Sequence, residues 1–332
     1  SKVRAAAERY GARLPMLVMT SEANHDETVG FLERHGRFGL PEEDVFVFRQ
    51  GMLPAVDAEG RLLLRAEGEL FLSPDGHGGS LGALAREGLL DELERRGVEE
   101  IFYFQVDNPL VKVLDPAFLG HHRLGRAEAS SKAVPKRDAS EKVGVFAKAG
   151  RKLGIVEYSD LPDDLGRARD DEGELAYRAG NVAIHVFRTE FVRRLTEGGL
   201  RLPYPRARKA VSCLDPAGDS AAPAEVTGVK FETFVFDALP EAKRSLVVEA
   251  SRAEEFSPVK NASGDDSAAT ARRDMTLQFR SWLEAAGFEL ERGDDVWIEI
   301  SPHLALDRDE LIRRLKKERV LSAGRLLIEP RE

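Results

Sequence analysis

The sequence predicts an α/β fold built on a mixed sheet, and three observations carry that prediction. Short apolar runs bounded by turn residues alternate with segments of helical periodicity in the N-terminal part of the chain. From residue 129 to 158 the pattern becomes β-rich, with two strand-like runs joined by Ala149-Gly150-Arg151, which a purely parallel sheet would not contain. The composition, 42% hydrophobic and 32% charged over 332 residues, is that of a globular chain long enough to bury a substantial core.

Residues 5–11 read as the tail of a helix stopped by Gly11. Met16-Leu17-Val18-Met19, ending at Thr20-Ser21, reads as a buried strand feeding a turn and a helix over 24–36. A second strand follows at 44–49, then a small hairpin over 56–64, and residues 81–96 carry apolar side chains at helical spacing up to Gly97. Residues 101–106 form a third buried strand, and further strands are expected at 143–148, 152–158 and 181–187. Residues 201–224, rich in proline, glycine and small side chains, read as a surface loop. Phe231, Phe234, Val235, Ala238 and Leu239 fall at helical spacing, as core residues would, and 270–286 reads as a helix. Runs at 296–300, 307–317 and 325–328 suggest a small β/α appendage, so the expected division is 1–290 and 291–332.

Forty-nine Lys and Arg against 58 Asp and Glu leave a formal charge of −9, which disfavours a non-specific nucleic-acid coat. No apolar run approaches the roughly 20 residues of a bilayer span and no basic-then-apolar leader opens the chain, so a cytosolic protein without membrane contact is expected. The single cysteine, Cys213, excludes an internal disulfide and a thiolate zinc cluster and reads as a passive thiol.

In an open α/β sheet, ligands gather beyond the carboxyl ends of the strands, so the loops there matter most. Ser73-Pro74-Asp75-Gly76-His77-Gly78-Gly79 precedes a helix; its three glycines permit close backbone approach to an anion, or serve only a tight turn. Val106-Asp107-Asn108 ends an apolar strand on a carboxylate that could hold Mg²⁺ against phosphate oxygens, or merely turn the chain. Lys230 and Lys260 could neutralise phosphate, although most of the 49 cationic side chains must be solvated surface charge. Glu157 and Asn181 sit at strand edges and suit hydroxyl or amide recognition. The seven histidines are scattered, and His121-His122 lacks the spacing of a helical zinc pair, so surface positions are expected.

Taken in order, several stretches resemble the UDP-sugar pyrophosphorylase family, and within it the UDP-N-acetylhexosamine pyrophosphorylases. They are Met19-Thr20-Ser21, Gln50-Gly51-Met52-Leu53-Pro54-Ala55, Pro74 through Gly79, Val106-Asp107-Asn108, Val143-Gly144-Val145, Val156-Glu157-Tyr158-Ser159 and Ala179-Gly180-Asn181. Lys230-Phe231-Glu232-Thr233-Phe234-Val235-Phe236-Asp237, Glu255-Phe256-Ser257-Pro258-Val259-Lys260-Asn261 and Glu299-Ile300-Ser301-Pro302 complete the set. The resemblance implies a Rossmann-like nucleotidyltransferase domain of glycosyltransferase-A type. It also implies a Mg²⁺-dependent reaction of UTP with an N-acetylhexosamine 1-phosphate that releases pyrophosphate. By the same resemblance Gln50 and the Gly76 backbone read uracil and Asp107 is the Mg²⁺ ligand. Gly144, Glu157 and Asn181 contact the sugar and its N-acetyl group beside Phe234 and Phe236. Lys230 and Lys260 bind phosphate, and Asn108 and His77 belong to the substrate pocket.

Two departures from the family pattern stand out. His77 occupies the place of an asparagine, which changes a sugar or ribose contact. The leading Gly-Gly-x-Gly-Thr-Arg loop of the family is absent, so a first central strand and its phosphate loop are expected upstream of Ser1 and the chain alone is expected to be poorly stable. Three readings stay open: a UDP-N-acetylhexosamine enzyme, a UDP-glucose or broader UDP-sugar enzyme, and a nucleotide-sugar-binding remnant without turnover.

Overall fold

The computed structural model describes residues 1–214, 223–290, 297–315 and 326–328. Helix α1 (Lys2–Tyr10) buries Ala5 and Ala6 and ends on Gly11 at φ 59°. Strand β1 (Met16–Thr20), helix α2 (His25–Arg34) and strand β2 (Val45–Arg49) follow; β1 and β2 pair in parallel, Met16 opposite Val45 through Thr20 opposite Arg49. β1 is half-buried rather than buried. Four short strands form a ribbon in which β3 (Met52–Pro54) pairs β6 (Leu72–Pro74) and β4 (Leu64–Ala66) pairs β5 (Glu69–Leu70). The expected 56–64 hairpin is present as a tight turn: Val56 bridges Leu62, the Asp57 amide donates to the Arg61 carbonyl at 2.9 Å and the Leu63 amide to the Ala55 carbonyl at 3.0 Å, and the Asp57 carboxylate accepts from the amides of Glu59 and Arg61.

The helix expected over 81–96 is two, α3 (Gly79–Arg86) and α4 (Leu89–Arg95), parted at Gly88, whose φ of 70° no helix interior contains. Strand β7 (Glu100–Tyr103) stops before the apolar run does, leaving Val106 97% exposed. Helix α5 (Pro116–Leu124) begins on Asp115, whose side chain accepts from the Ala117 amide, with proline in the first turn. Strands β8 (Ala129–Pro135), β9 (Val145–Ala149), β10 (Lys152–Val156) and β11 (Ala179–Arg188) come next, with helices α6 (Asp163–Arg167) and α7 (Thr189–Thr196).

Part of the loop expected at 201–224 is instead a strand. β12 (Arg206–Leu214) pairs antiparallel with β13 (Pro223–Phe231), burying Val211 and Cys213 against Ala55 and Leu63; residues 215–222 lie outside the described set. A 3-10 turn at Val235–Glu241 buries Val235, Phe236, Ala238 and Leu239. Strand β14 (Ser245–Glu249), short helix α8 (Arg252–Glu255) and long helix α9 (Ala268–Ala285) follow, the last opened by a Ser267–Thr270 capping box. Of the C-terminal runs, β15 (Ile298–Ile300), α10 (Arg308–Arg314) and β16 (Leu326–Ile328) are present, with β15 and β16 parallel; 291–296 and 316–325 lie outside the described set.

The main sheet runs β10-β9-β11-β8-β14, with β7 also on β11. It is mixed: β8 and β14 are parallel, and β11 is antiparallel to β7, β8 and β9. A bulge between Asn181 and His185, with Ala183 at φ 54°, bends β11 so that one half meets β9 and the other β7. Helices α3, α4 and α7 and the 235–241 turn pack on one face, and α5 with Val111 on the other. A separate apolar cluster joins Trp282 and Leu283 of α9 to Ile298, Ile300 and Leu311. The histidines are not all at the surface: His122 and His185 are fully buried, held by Ser130 and Ser131 hydroxyls 2.7 and 2.8 Å from their Nδ1 atoms. No helix among the described residues is long and apolar enough to cross a membrane.

Candidate functional site

Strand β6 runs into the glycine loop, and the loop is fastened to the segment after β13. The Thr233 amide and hydroxyl both donate to the Asp75 carbonyl at 2.7 and 2.8 Å, and the Gly78 amide returns to the Thr233 carbonyl at 2.9 Å. Glycine is required here. Gly76 has φ 84° and a Cβ on it would stand 2.5 Å from the Thr233 carbonyl oxygen, while one on Gly78 would stand 2.6 Å from the Phe234 carbonyl carbon. The Asp75 carboxylate fills the space beside Gly51 and Gly79, where a Cβ would lie 2.2 and 2.1 Å from its oxygens. Burial raises its pKa, with Arg86 opposing, and its Oδ1 has no partner. Gln50 adjoins this cradle at the end of β2, its amide donating to the Thr20 carbonyl at 2.8 Å.

His77 lies in an aromatic nest, with ring centroids 5.4 Å from Phe234, 5.7 Å from Phe236 and 6.4 Å from Tyr103. Phe234 and Phe236 stack at 5.1 Å. The Val235 amide donates to His77 Nδ1 at 3.2 Å, which assigns the imidazole proton to Nε2. Burial lowers the His77 pKa to about 4, so the ring is a neutral donor at physiological pH.

A second group of side chains gathers charge. Burial raises the Asp107 carboxyl while Lys260 pulls it down and Asp266 pushes it up. Burial also raises Glu157, with Asp160 and Asp237 adding to the rise and Lys260 opposing it. The Lys260 charge thus acts on two carboxylates, one in the turn beyond β7 and one directly after β10, while its ammonium lies 5.9 Å from the Phe256 ring centroid. Asp237, directly after Phe236, is raised by burial to about 6, and its Oδ2 has no partner. Gly144 lies close under Glu157 and Ile155, where a Cβ would stand 2.8 Å from Glu157 Oε1 and 2.9 Å from Ile155 Cγ2. The Asn181 amide donates to the Gly144 carbonyl at 2.8 Å, and its side chain accepts from Ala183 inside the β11 bulge. Tyr103 links the two groups: it packs on His77 and feels the Asp107 charge.

The structure therefore brings together Asp107, Glu157 and Lys260, with Gly144 and Asn181 beside Glu157, and separately Gly76, His77, Phe234 and Phe236. It places two predicted residues otherwise. Asn108 is 6% exposed and committed to the main chain: Nδ2 donates to the Glu255 carbonyl at 2.7 Å, and Oδ1 accepts from Ser257 and Leu110 at 3.1 and 3.3 Å. Lys230 lies over the Phe71 ring at 5.4 Å and shares no contact with the Lys260 group among the described residues. Asp75 and Asp237, each with a buried unpartnered oxygen, were not singled out from the sequence, although both lie inside stretches that carry the resemblance. Among the described residues no three His, Cys, Asp or Glu side chains converge as a metal cage. Asp107, one half-buried carboxylate in the turn beyond β7, fits a magnesium ion whose other ligands are water and phosphate.

A mixed sheet between helix layers, with a glycine loop on the adjoining ribbon and a carboxylate–lysine group beyond β7 and β10, is the fold of the UDP-sugar nucleotidyltransferases that this chain matches. The model of the UTP–glucose-1-phosphate uridylyltransferase family matches residues 1–283, and the chain belongs to that family. It is 38% identical over 288 residues to UDP-N-acetylhexosamine pyrophosphorylase-like protein 1 of Xenopus tropicalis, covering 85% of this chain and 56% of that one. It is 35% identical over 305 residues to UDP-N-acetylglucosamine pyrophosphorylase of Saccharomyces cerevisiae, covering 90% and 64%. The chain thus spans less than two thirds of the length of these relatives. The crystal structure of the Trypanosoma brucei uridine diphosphate N-acetylglucosamine pyrophosphorylase in complex with inhibitor superposes with a TM-score of 0.81 at 27% identity, covering 99% of this chain and 71% of that one.

Proposed function

We propose that this chain carries the catalytic site of a uridylyltransferase that joins UTP and an N-acetylhexosamine 1-phosphate, N-acetylglucosamine 1-phosphate first among them. The observation that supports this most is that the Lys260 charge acts on both Asp107 and Glu157, on a segment tied to Asp107 through the Val259 amide. A phosphate oxygen of the sugar 1-phosphate attacks the α-phosphorus of UTP. The new P–O bond forms as the bond to the bridging oxygen breaks, and pyrophosphate leaves.

No covalent intermediate is needed, so the residues act by positioning anions and balancing charge. Lys260 would stabilise the charge that builds on the phosphates. Glu157, Asn181 and the Gly144 backbone would take sugar hydroxyl and amide groups, with the phenylalanine pair against the N-acetyl methyl. Gln50 and the Gly76 backbone would read uracil, and Lys230 would meet phosphate from the ribbon side. Mg²⁺ held at Asp107 would polarise the phosphoryl oxygens when bound. Within this reading residues 1–290 form the catalytic unit and 291–332 an appendage sharing the Trp282–Leu283 cluster, and the protein works in the cytosol.

His77 is the observation that favours a broader sugar range, because a neutral imidazole donor stands where the family pattern has an amide. The test is pyrophosphate release from UTP and Mg²⁺ with a panel of sugar 1-phosphates. Highest release with N-acetylglucosamine 1-phosphate supports the proposal, and highest release with glucose 1-phosphate supports the broader reading. Binding of UDP-sugar with no turnover for any sugar would make the pocket a sensor.

A further inference from the structure

The most deeply buried charge in the described protein lies outside the site just described. Lys132 on β8 is 1% exposed, and its ammonium stands 2.6 Å from both carboxylate oxygens of Glu255 and 2.6 Å from Asp115 Oδ2. Glu255, the last residue of α8, is 4% exposed. Asp115 uses its other oxygen to cap α5. Lys112 reinforces the group from the rim, pairing with Glu254 and standing 4.0 Å from Glu255. A buried triad of this kind adds little stability over an apolar trio of similar volume; what it adds is direction, because charge-assisted hydrogen bonds fix where the groups sit.

Directly downstream, the same residue supports a staple. The Glu255 carbonyl accepts from Asn108 Nδ2, and the Ser257 amide donates to Asn108 Oδ1. The Val259 amide donates to the Asp107 carbonyl at 2.9 Å. Three bonds therefore tie residues 107–108 to 255–259, the Leu110 amide fixes the Asn108 side chain from within its own turn, and Lys260 is the next residue. Helix α9 adds support from behind through Ser257 Oγ to Asp274 at 2.8 Å and Gln278 Nε2 to the Glu254 carbonyl at 2.7 Å.

We infer that Lys132 is a positioning residue: by holding the Glu255 carboxylate it seats the 255–259 segment on the Asn108 staple and so sets where Lys260 stands relative to Asp107. Its catalytic consequence rests on the proposed uridylyl transfer; its structural consequence does not. The experiment compares the parent chain with the double variant Lys132→Met, Glu255→Met, which leaves no Lys132 or Glu255 charge buried alone, and with Glu255→Gln, which keeps the shape and loses the charge.

Amide exchange at Ser257 and Val259, thermal melting, and steady-state kinetics are read on all three. The expected result for the double variant is a melt close to the parent, exchange of both amides at least about tenfold faster, and kcat lower by about a hundredfold with the KM for UTP little changed. Glu255→Gln should show the same pattern in milder form, and it decides the matter if the double variant does not fold. Parent-like exchange in a folded variant overturns the inference, as does faster exchange with kcat within about twofold of the parent. If the parent itself releases no pyrophosphate with any sugar 1-phosphate, the uridylyl transfer reading fails, and the exchange rates still decide whether Lys132 seats the segment.

Discussion

Asp107 is held between two opposing influences, with burial raising its carboxyl and the Lys260 ammonium lowering it. Such a group gains most from a cation that arrives with phosphate oxygens. Asp107→Ala is therefore expected to lower Mg²⁺-dependent pyrophosphate release by at least about a hundredfold while circular dichroism and melting stay near those of the parent. Near-normal release would remove the metal role. Lys260 is exposed and its charge acts on Asp107 and Glu157, so it is available where phosphate charge would build. Lys260→Ala should lower kcat far more than it weakens UTP binding, and equal losses in both would make it an ordinary binding contact. His77→Asn keeps a donor and an acceptor but gives up the ring contacts with Phe234 and Phe236. The relative kcat/KM for N-acetylglucosamine 1-phosphate over glucose 1-phosphate should rise by roughly threefold to tenfold, a range of about 0.7–1.4 kcal/mol, and an unchanged ratio would place His77 outside sugar recognition.

The glycine loop shows how one element holds the site. Gly76→Ala would drive a Cβ to 2.5 Å from the Thr233 carbonyl at a φ of 84°, so both backbone strain and a main-chain clash oppose it. A loss of at least about 2 kcal/mol in denaturant unfolding is expected, together with loss of UTP binding; a silent substitution would mean that the loop is free to shift. Much at this scale was legible locally. β1, α2, β2 and α9 lie within a few residues of where periodicity and capping place them. What was not legible depended on distant partners. Residues 206–214 look like loop from their composition, yet pairing with β13 makes them a strand, with Val211 and Cys213 on the buried face. His185 is buried because Ser131, 54 positions away, meets its Nδ1, and no local pattern announces that pair. Asn108 was read as a pocket residue from its place after Asp107, and its use as a staple required the 255–257 segment to be seen against it. The site motifs were legible as a set because their order survives in the sequence, whereas the Lys132 triad joins positions that no single motif contains.

Across the whole molecule the described sheet is in two pieces, with β1–β2 apart from the main sheet although Leu17 and Met19 of β1 and Ile101 and Tyr103 of β7 pack on one apolar cluster. Stability then leans on that shared core and on buried polar pairs, and the histidines make it pH-dependent. Burial lowers His122 to about 4 and His185 to about 3, from an ordinary value of 6.5. Over the window from 6.5 down to those values the unfolded chain accepts protons that the folded chain refuses. The contribution of each is therefore intact above pH 6.5 and is lost as pH falls, by about 2 kcal/mol each at pH 5. Asp237 acts in the opposite sense: its carboxyl, raised by burial to about 6, takes a proton in the folded state first and offsets part of the loss. His77, also lowered to about 4, adds to the loss, and the raised carboxyls of Asp75, Asp107, Glu157 and Glu255 act as Asp237 does, so the share of one histidine is read by melting a variant and the parent at pH 5.0 and pH 7.5. His185→Gln should melt lower than the parent at pH 7.5 yet change less between the two pH values, since glutamine has no proton to gain. Parallel pH dependence in the two proteins would mean that His185 takes its proton as readily in the folded chain as in the unfolded one.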